Sequence, residues 1–221
     1  MNRYCGGVAY YVGTICGSDF YKSLAANIMK QTGIPRFNGL PEGVEVTTRT
    51  NGLDDYIFFF NANAQFMQPV TREMLLPRAE KGERLLVVQH PSFYAKPNYE
   101  FTYDRNPRST ACIPYGLGKY YVCGGVNGGT TPAFLELCRT LDKRIRRDLQ
   151  HNVIALWHDE SQINRYILFR HDFRVLDPSF CYPEGWDHLP FPCVVRIRSK
   201  ARYLDIPALR KDAPETQLSP A

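Results

Sequence analysis

Short, solidly apolar runs alternate with helical stretches along the chain. Tyr56-Ile57-Phe58-Phe59-Phe60 carries β-forming residues throughout with no polar alternation, the pattern of a strand covered on both faces, and it stops at Asn61-Ala62-Asn63. Leu85-Leu86-Val87-Val88 is a second such run, ending at Gln89-His90-Pro91. Tyr120-Tyr121-Val122-Cys123 is a third, ending at Gly124-Gly125, and Val153-Ile154-Ala155-Leu156-Trp157 a fourth, ending at His158-Asp159-Glu160. Cys193 to Arg198 is a fifth. One helix opens at Thr130-Thr131 as cap, with Pro132 at its start, and sets Phe134, Cys138, Leu141 and Ile145 on one face. Lys143, Arg144, Arg146 and Arg147 crowd its last turns, where the macrodipole favours cations, and read as a solvated helix end. A second helix opens at Asp159 or Ser161 and runs through Ile163, Tyr166 and Ile167. Strands interleaved with helices predict an α/β fold.

Composition narrows this without changing it. The chain has 221 residues, 44% apolar and 22% charged, ordinary for a globular protein and wrong for a disordered one. The length suits one large domain or two small ones. There are no internal repeats and no dividing linker, so one domain is expected, with Asp212 to Ala221 a frayed tail. A net charge of +5 is mildly basic: it suits an anionic ligand but falls short of a nucleic-acid-binding face, so no nucleic-acid partner is expected. Seven cysteines with no Cys-x-x-Cys spacing speak against a zinc ribbon or a thioredoxin-like site and read as reduced thiols of a cytoplasmic protein. Neither a signal-peptide core nor an apolar run of about 18 residues is present, so no integral membrane segment is expected.

In an open α/β sheet, ligands bind outside the carboxyl ends of the strands. Those ends carry Asn61 and Asn63, His90, the Gly124/Gly125/Gly128/Gly129 cluster, and Trp157-His158-Asp159-Glu160. Glu160 falls at the first turn of a helix, where free N–H groups and the dipole stabilise an anion; the expectation is an ionised carboxylate, suited to nucleophilic or cation-stabilising work, although a plain helix cap is the competing reading. His158-Asp159-Glu160 is not the His-Glu-x-x-His of a zinc protease. The glycine cluster matches neither a dinucleotide fingerprint nor a P-loop; composition alone leaves a close backbone approach to a ligand and a plain turn equally open. Asn61-Ala62-Asn63 can hydrogen-bond a ligand but lacks the charge a hard cation wants.

Taken in order, Phe58-Phe59-Phe60-Asn61-Ala62-Asn63, His90-Pro91-Ser92-Phe93-Tyr94, Phe101-Thr102-Tyr103-Asp104-Arg105, Gly124-Gly125-Val126-Asn127-Gly128-Gly129 and Trp157-His158-Asp159-Glu160-Ser161, with Asn164 and Tyr166, resemble glycosyltransferase family 6, the family of the histo-blood-group A and B transferases and the α-1,3-galactosyltransferases. The resemblance runs from about Asp55 to Arg198, and Asn-x-Asn with Tyr182-Pro183-Glu184-Gly185-Trp186 is similar to the bacterial branch, which lacks the metal-binding Asp-x-Asp. It implies a single GT-A-type domain with a mixed, mostly parallel central sheet flanked by helices. It further implies metal-independent, retaining transfer of N-acetylgalactosamine or galactose from a UDP-sugar to the 3-hydroxyl of a β-galactoside, plain or fucosylated.

Carried over residue by residue, the resemblance makes Glu160 the catalytic carboxylate. It makes His90, Thr102 and Trp157 acceptor-binding, Asp159 a donor-sugar contact, and Cys123, Gly124 and Gly125 the stretch that sets donor choice. A glycine at 125 leaves room for an acetamido group, which favours N-acetylgalactosamine. Asn61, Ala62 and Asn63 would face the diphosphate, with no metal and no other cofactor, and Arg196, Arg198 and Lys200 would neutralise the leaving group; an edge strand with charges on its solvent face is the plainer alternative. The expected domain is 1–211. Its first part, 1–54, departs from the family: Val8 to Gly13 is the expected uracil-cradling strand, Phe20-Tyr21 the start of the next helix, and Gly33 to Asn51 a loop. Pro183 replaces an aspartate of the mammalian enzymes. The competing function is a non-catalytic sugar or nucleotide binder that has lost part of the donor site.

Overall fold

The computed structural model describes residues 55–200 and, as backbone, the strands β1 (Asn2–Tyr4), β2 (Gly7–Ala9) and β3 (Val46–Thr50). The remaining strands are β4 (Asp55–Phe60), β5 (Ala64–Phe66), β6 (Leu85–Gln89), β7 (Val122–Thr130), β8 (Phe173–Leu176), β9 (Tyr182–Pro183) and β10 (Val195–Ile197). The helices are α1 (Arg72–Leu75), α2 (Thr131–Gln150) and α3 (Asp159–Ile167). Phe20-Tyr21 and the tail 212–221 lie outside the described residues, as does all but the start of the Val8–Gly13 stretch.

The main sheet has the order β3-β4-β7-β6-β8. The fold is mixed α/β, as the alternation of runs predicts. The pairing of neighbours differs from the mostly parallel expectation: β6 and β8 pair in parallel, while β7 runs against both β4 and β6, and β3 against β4. A strand inserted in the opposite sense between two that share a direction turns two ladders antiparallel at once. The loop expected over 33–51 contains β3, whose β-branched Val46-Thr47-Thr48 suits a strand once β4 is there to pair with it. A second sheet, β5-β10-β9, holds β10 in its middle rather than at an edge.

Period-two alternation sends successive side chains of β4 and β6 into two different cores. Tyr56, Phe58, Leu86 and Val88 join Cys123, Phe180 and Val195 on one face. Ile57, Leu85 and Val87 join Phe134, Leu137, Ile163 and Ile167 of α2 and α3 on the other. Each such side chain contributes about 1.5–3 kcal/mol on leaving water, which is why β4 and β6 carry no polar alternation.

Three further expectations change. The strand expected to end at Gly124-Gly125 continues: of the two readings open for the glycines the plain turn falls, because β7 runs through Gly124, Gly125, Gly128 and Gly129. A Cβ on Gly128 would lie 2.6 Å from the Ile57 carbonyl and 2.4 Å from the Phe58 ring, so glycine is what lets β7 approach β4. Val153–Trp157 forms no strand. Its N–H groups go instead to local and side-chain acceptors: Val153 to the Asp148 carbonyl, Leu156 to Asp104 Oδ2 at 3.2 Å, and Trp157 to Ser161 Oγ at 3.1 Å. Finally, the inner face of α2 is Ala133, Phe134, Leu137 and Asp148, while Cys138 and Ile145 are exposed. The buried Asp148 carboxylate sets that rotation by accepting from Thr110 N–H, Thr110 Oγ1 and Gln162 Nε2, which ties α2 to α3. Among the described residues all five cysteines are free thiols, and Cys123 and Cys181 are buried. No described helix is long and apolar enough to cross a membrane.

Candidate functional site

A cleft of about 220 Å³ opens beside β7 and the start of α3, lined by Asn61, Gly124, Gly125, Trp157, His158, Asp159, Glu160 and Lys200. Glu160 sits in the first turn of α3, and β7 with the residue just before it supplies its partners. The Gly124 N–H donates to Oε2 at 2.9 Å and the Tyr121 hydroxyl to Oε1 at 2.9 Å. Asn164, one turn along α3, clamps helix to strand: its Oδ1 accepts from Val122 N–H, and its Nδ2 donates to the Val122 and Glu160 carbonyls. A Cβ at Gly124 would stand 2.7 Å from Asp159 Oδ2 and 3.3 Å from Glu160 Cβ, so a side chain there would turn the Asp159 carboxylate aside and press on the first turn of α3.

Burial pushes the Glu160 carboxyl above its ordinary range, outweighing the lowering by the Gly124 N–H and the Tyr121 hydroxyl; the like charge of Asp159 adds to the rise. A helix N-terminus alone implies the opposite direction, so desolvation is the stronger effect here. The chain enters α3 through His158, a non-glycine residue at φ 51° and ψ −120°, the kind of costly backbone conformation that functional sites concentrate.

His90 lies behind this carboxylate, its ring edge-on to Tyr121 at 5.7 Å between centroids. Burial lowers it to about 4, and its Nδ1 accepts from the Ser92 N–H, so near neutral pH the ring is uncharged with its proton on Nε2. Thr102 is exposed, and its Oγ1 donates to the Tyr121 hydroxyl at 3.3 Å. Trp157, 46% exposed, stands at the rim.

The donor-side expectations divide. Asn61 lines the cleft, held by its N–H to the Gly125 carbonyl at 2.9 Å, and its amide nitrogen lies 2.6 Å from where a Gly125 Cβ would be. The Asn61 amide therefore borders the space expected for an acetamido group at Gly125. Ala62 is the exposed tip of the turn. Asn63 departs from the expectation: its Nδ2 donates to the Arg198 carbonyl and its carbonyl accepts the Arg198 N–H at 2.9 Å, so it splices β5 to the end of β10. Of the three expected cations only Lys200 lines the cleft; Arg196 is on β10 opposite Gln65, and Arg198 is engaged at the Asn63 junction. The Cys123 side chain points into the core, where the Cys181 thiol and burial hold its own thiol well above the ordinary range. Tyr121 and Asn164 were not among the expected site residues, because a tyrosine in an apolar run looks like core, and no spacing marks it as the partner of a carboxylate 39 positions on.

Asn61 and Asn63 offer no charge, Asn63 is bound to backbone, and both Glu160 oxygens already accept hydrogen bonds. Among the described residues no three His, Cys, Asp or Glu side chains gather where a metal could be held.

The family model for glycosyltransferase family 6 matches residues 44–210, most of the chain and slightly more at each end than the sequence motifs cover. The chain belongs to glycosyltransferase family 6. It is 31% identical over 155 residues to histo-blood group ABO system transferase 1 of Rattus norvegicus, covering 69% of this chain and 40% of that protein. It is 31% identical over 157 residues to globoside alpha-1,3-N-acetylgalactosaminyltransferase 1 of Homo sapiens, covering 71% and 42%. Against the O-antigen biosynthesis glycosyltransferase WbnI of Escherichia coli it is 28% identical over 133 residues, covering 60% and 54%. The aligned stretch thus spans about two fifths of the mammalian relatives and about half of the bacterial one.

Proposed function

We propose that this family 6 chain is a retaining glycosyltransferase that moves N-acetylgalactosamine or galactose from a UDP-sugar to the 3-hydroxyl of a β-galactoside, in α-1,3 linkage and without a divalent cation. The observation that carries this reading is Glu160, a carboxylate aimed at the cleft by two donors, the Gly124 N–H on β7 and the Tyr121 hydroxyl just before it, and raised in basicity by burial. Ionised, such a group is a stronger nucleophile and a stronger stabiliser of developing positive charge than an exposed carboxylate.

In this reading the donor sugar lies in the cleft with its anomeric carbon towards Glu160. Glu160 attacks that carbon, or stabilises the oxocarbenium-like transition state, as the bond to UDP breaks. Asp159, over Gly124, binds a sugar hydroxyl. Lys200 places its positive charge against the departing diphosphate. The acceptor lies between Trp157, Thr102 and the neutral His90, whose Nε2–H can donate to it without adding charge beside the developing cation. Asn61 reads the 2-position of the donor: its amide either moves aside for an acetamido group or bonds to it.

The reading is tested by incubating the protein with UDP-N-acetylgalactosamine or UDP-galactose in EDTA, with and without a fucosylated β-galactoside. UDP release that accelerates with acceptor, and an α-1,3-linked product by NMR, are expected. A binder without turnover is the second reading, favoured by Asn63 being turned onto the Arg198 backbone; calorimetric binding of acceptor with no UDP released from either donor would establish it.

A further inference from the structure

Tyr121 is the most enclosed large side chain near the cleft, 1% exposed and immediately before β7. Its ring is fixed from several directions: Tyr103 stacks on it at 5.3 Å, Phe93 lies at 4.4 Å, and Phe101 and His90 meet it edge-on at 5.8 and 5.7 Å. Only the hydroxyl reaches the site, the usual use of a tyrosine with an apolar body and a polar tip. That hydroxyl has one proton and two acceptors in reach, Glu160 Oε1 at 2.9 Å and the Thr102 carbonyl at 3.5 Å; the shorter bond takes it. Its lone pair accepts from Thr102 Oγ1 at 3.3 Å. Burial, and the carboxylate opposite, push the phenol far up, so it stays a donor through the neutral range. The Gly124 N–H holds the other oxygen of Glu160, so two donors three positions apart, one just before β7 and one on it, grip both ends of the carboxylate.

We propose that Tyr121 is a positioning residue for glycosyl transfer: its hydroxyl holds Oε1 of Glu160, fixes the direction of the carboxylate, and keeps it in its ionised form inside a buried site. The proposal rests on the reading of Glu160 as the carboxylate that acts on the donor. It goes beyond that reading by assigning the work of holding the charge to a core aromatic that touches neither donor nor acceptor and acts through Glu160. The groups around Glu160 are Tyr121, the Cys123 thiol and the Gly124 N–H on β7, Asp159 and His158 at the start of α3, and Lys200 across the cleft; His90 stands behind Tyr121. Burial and Asp159 oppose ionisation, and the Gly124 N–H and the Tyr121 hydroxyl favour it. Removing the hydroxyl must therefore move the Glu160 titration upwards.

The test is Tyr121→Phe, which keeps the ring in its aromatic box and deletes one oxygen. In carboxyl-labelled protein, with the Glu160 signal assigned through Glu160→Gln, the NMR titration of Glu160 is expected to move up by about one pH unit or more. In the UDP-release assay, turnover is expected to fall about 10- to 100-fold, KM for donor and acceptor to stay within about 2-fold, and the acidic limb of the pH profile to move up with the NMR midpoint. Site-specific 3,5-difluorotyrosine at 121 keeps the packing and strengthens the donor, and should move the Glu160 midpoint down. An unmoved midpoint in both folded variants overturns the proposal. The titration is read without turnover, so an inactive wild type would overturn the reading of Glu160 as catalytic while still deciding whether Tyr121 holds the carboxylate.

Discussion

On one wall of the cleft, every polar group with a proposed role in transfer is seated by regular structure. Glu160 is gripped by β7, Asn164 locks α3 to the same strand, and the segment entering α3 is tied down by Asp104 and Ser161. On the opposite wall, Asn61-Ala62-Asn63 is a turn closed by the Ala64 N–H on the Asn61 carbonyl; one amide reaches the cleft, the next is spent on the backbone of β10, and a single lysine supplies charge. The contrast teaches where the sites differ in tolerance. A carboxylate buried at the joint of a strand and a helix cannot shift without moving both, whereas amides on a turn and a lysine on its stem can readjust.

The largest expected effect is on the rigid wall. Glu160→Gln should lower transfer by about 10³-fold or more. It should not cost stability. The folded-state titration of Glu160 lies above its ordinary 4.5, so the native state is penalised as pH rises through 4.5 towards the folded value, and fully so beyond it. Glutamine removes that penalty, so the thermal midpoint of the variant should equal or exceed that of the wild type at pH 7.5, with any gain vanishing near pH 4. Next comes Gly124→Ala, whose Cβ must turn the Asp159 carboxylate aside and press on the first turn of α3; a loss of about 1 kcal/mol in stability together with a clear loss of turnover is expected from denaturation and UDP-release measurements.

Effects on the other wall should be smaller. Lys200→Ala should raise KM for the UDP-sugar about 10-fold, close to the worth of one charged hydrogen bond, with added Mg²⁺ giving no rescue. Asn63→Ala, whose side chain serves a β-junction, should change turnover by less than about 3-fold, whereas Asn61→Ala should alter the ratio of UDP-N-acetylgalactosamine to UDP-galactose use. Equal effects of Asn61→Ala and Asn63→Ala on that ratio would break the comparison. The smallest effect concerns pH. His90 titrates at about 4 when folded against an ordinary 6.5, so the stability it allows is present above 6.5 and is lost as pH falls towards 4. In His90→Gln the thermal midpoint should fall less steeply over that window.

Much of this was legible in the chain. β4 and β6 were readable because burial on both faces leaves an unbroken apolar run, and α3 because Ile163, Tyr166 and Ile167 follow Asp159 at helical spacing. Glu160, Asp159, Trp157, Asn61 and Lys200 do meet in one cleft. What misled was local pattern without its partners. Val153 to Trp157 looks like a strand until Asp104 and Ser161 are seen to take the Leu156 and Trp157 N–H groups, and the glycines of β7 fit a turn and a close backbone approach equally until Phe58 and the Arg84 carbonyl are seen pressed against them. The direction of β7 and the upward shift of Glu160 both depend on what lies across space, which spacing along the chain does not encode.

The central claim is that Glu160 performs glycosyl transfer at this cleft. It is tested most directly by the initial rate of UDP release from UDP-N-acetylgalactosamine and UDP-galactose in EDTA with a fucosylated β-galactoside, for wild type and Glu160→Gln side by side. Acceptor-dependent release by the wild type, with a rate in the variant lower by about 10³-fold or more at unchanged thermal stability, is the predicted result. Equal rates in the two proteins would contradict it.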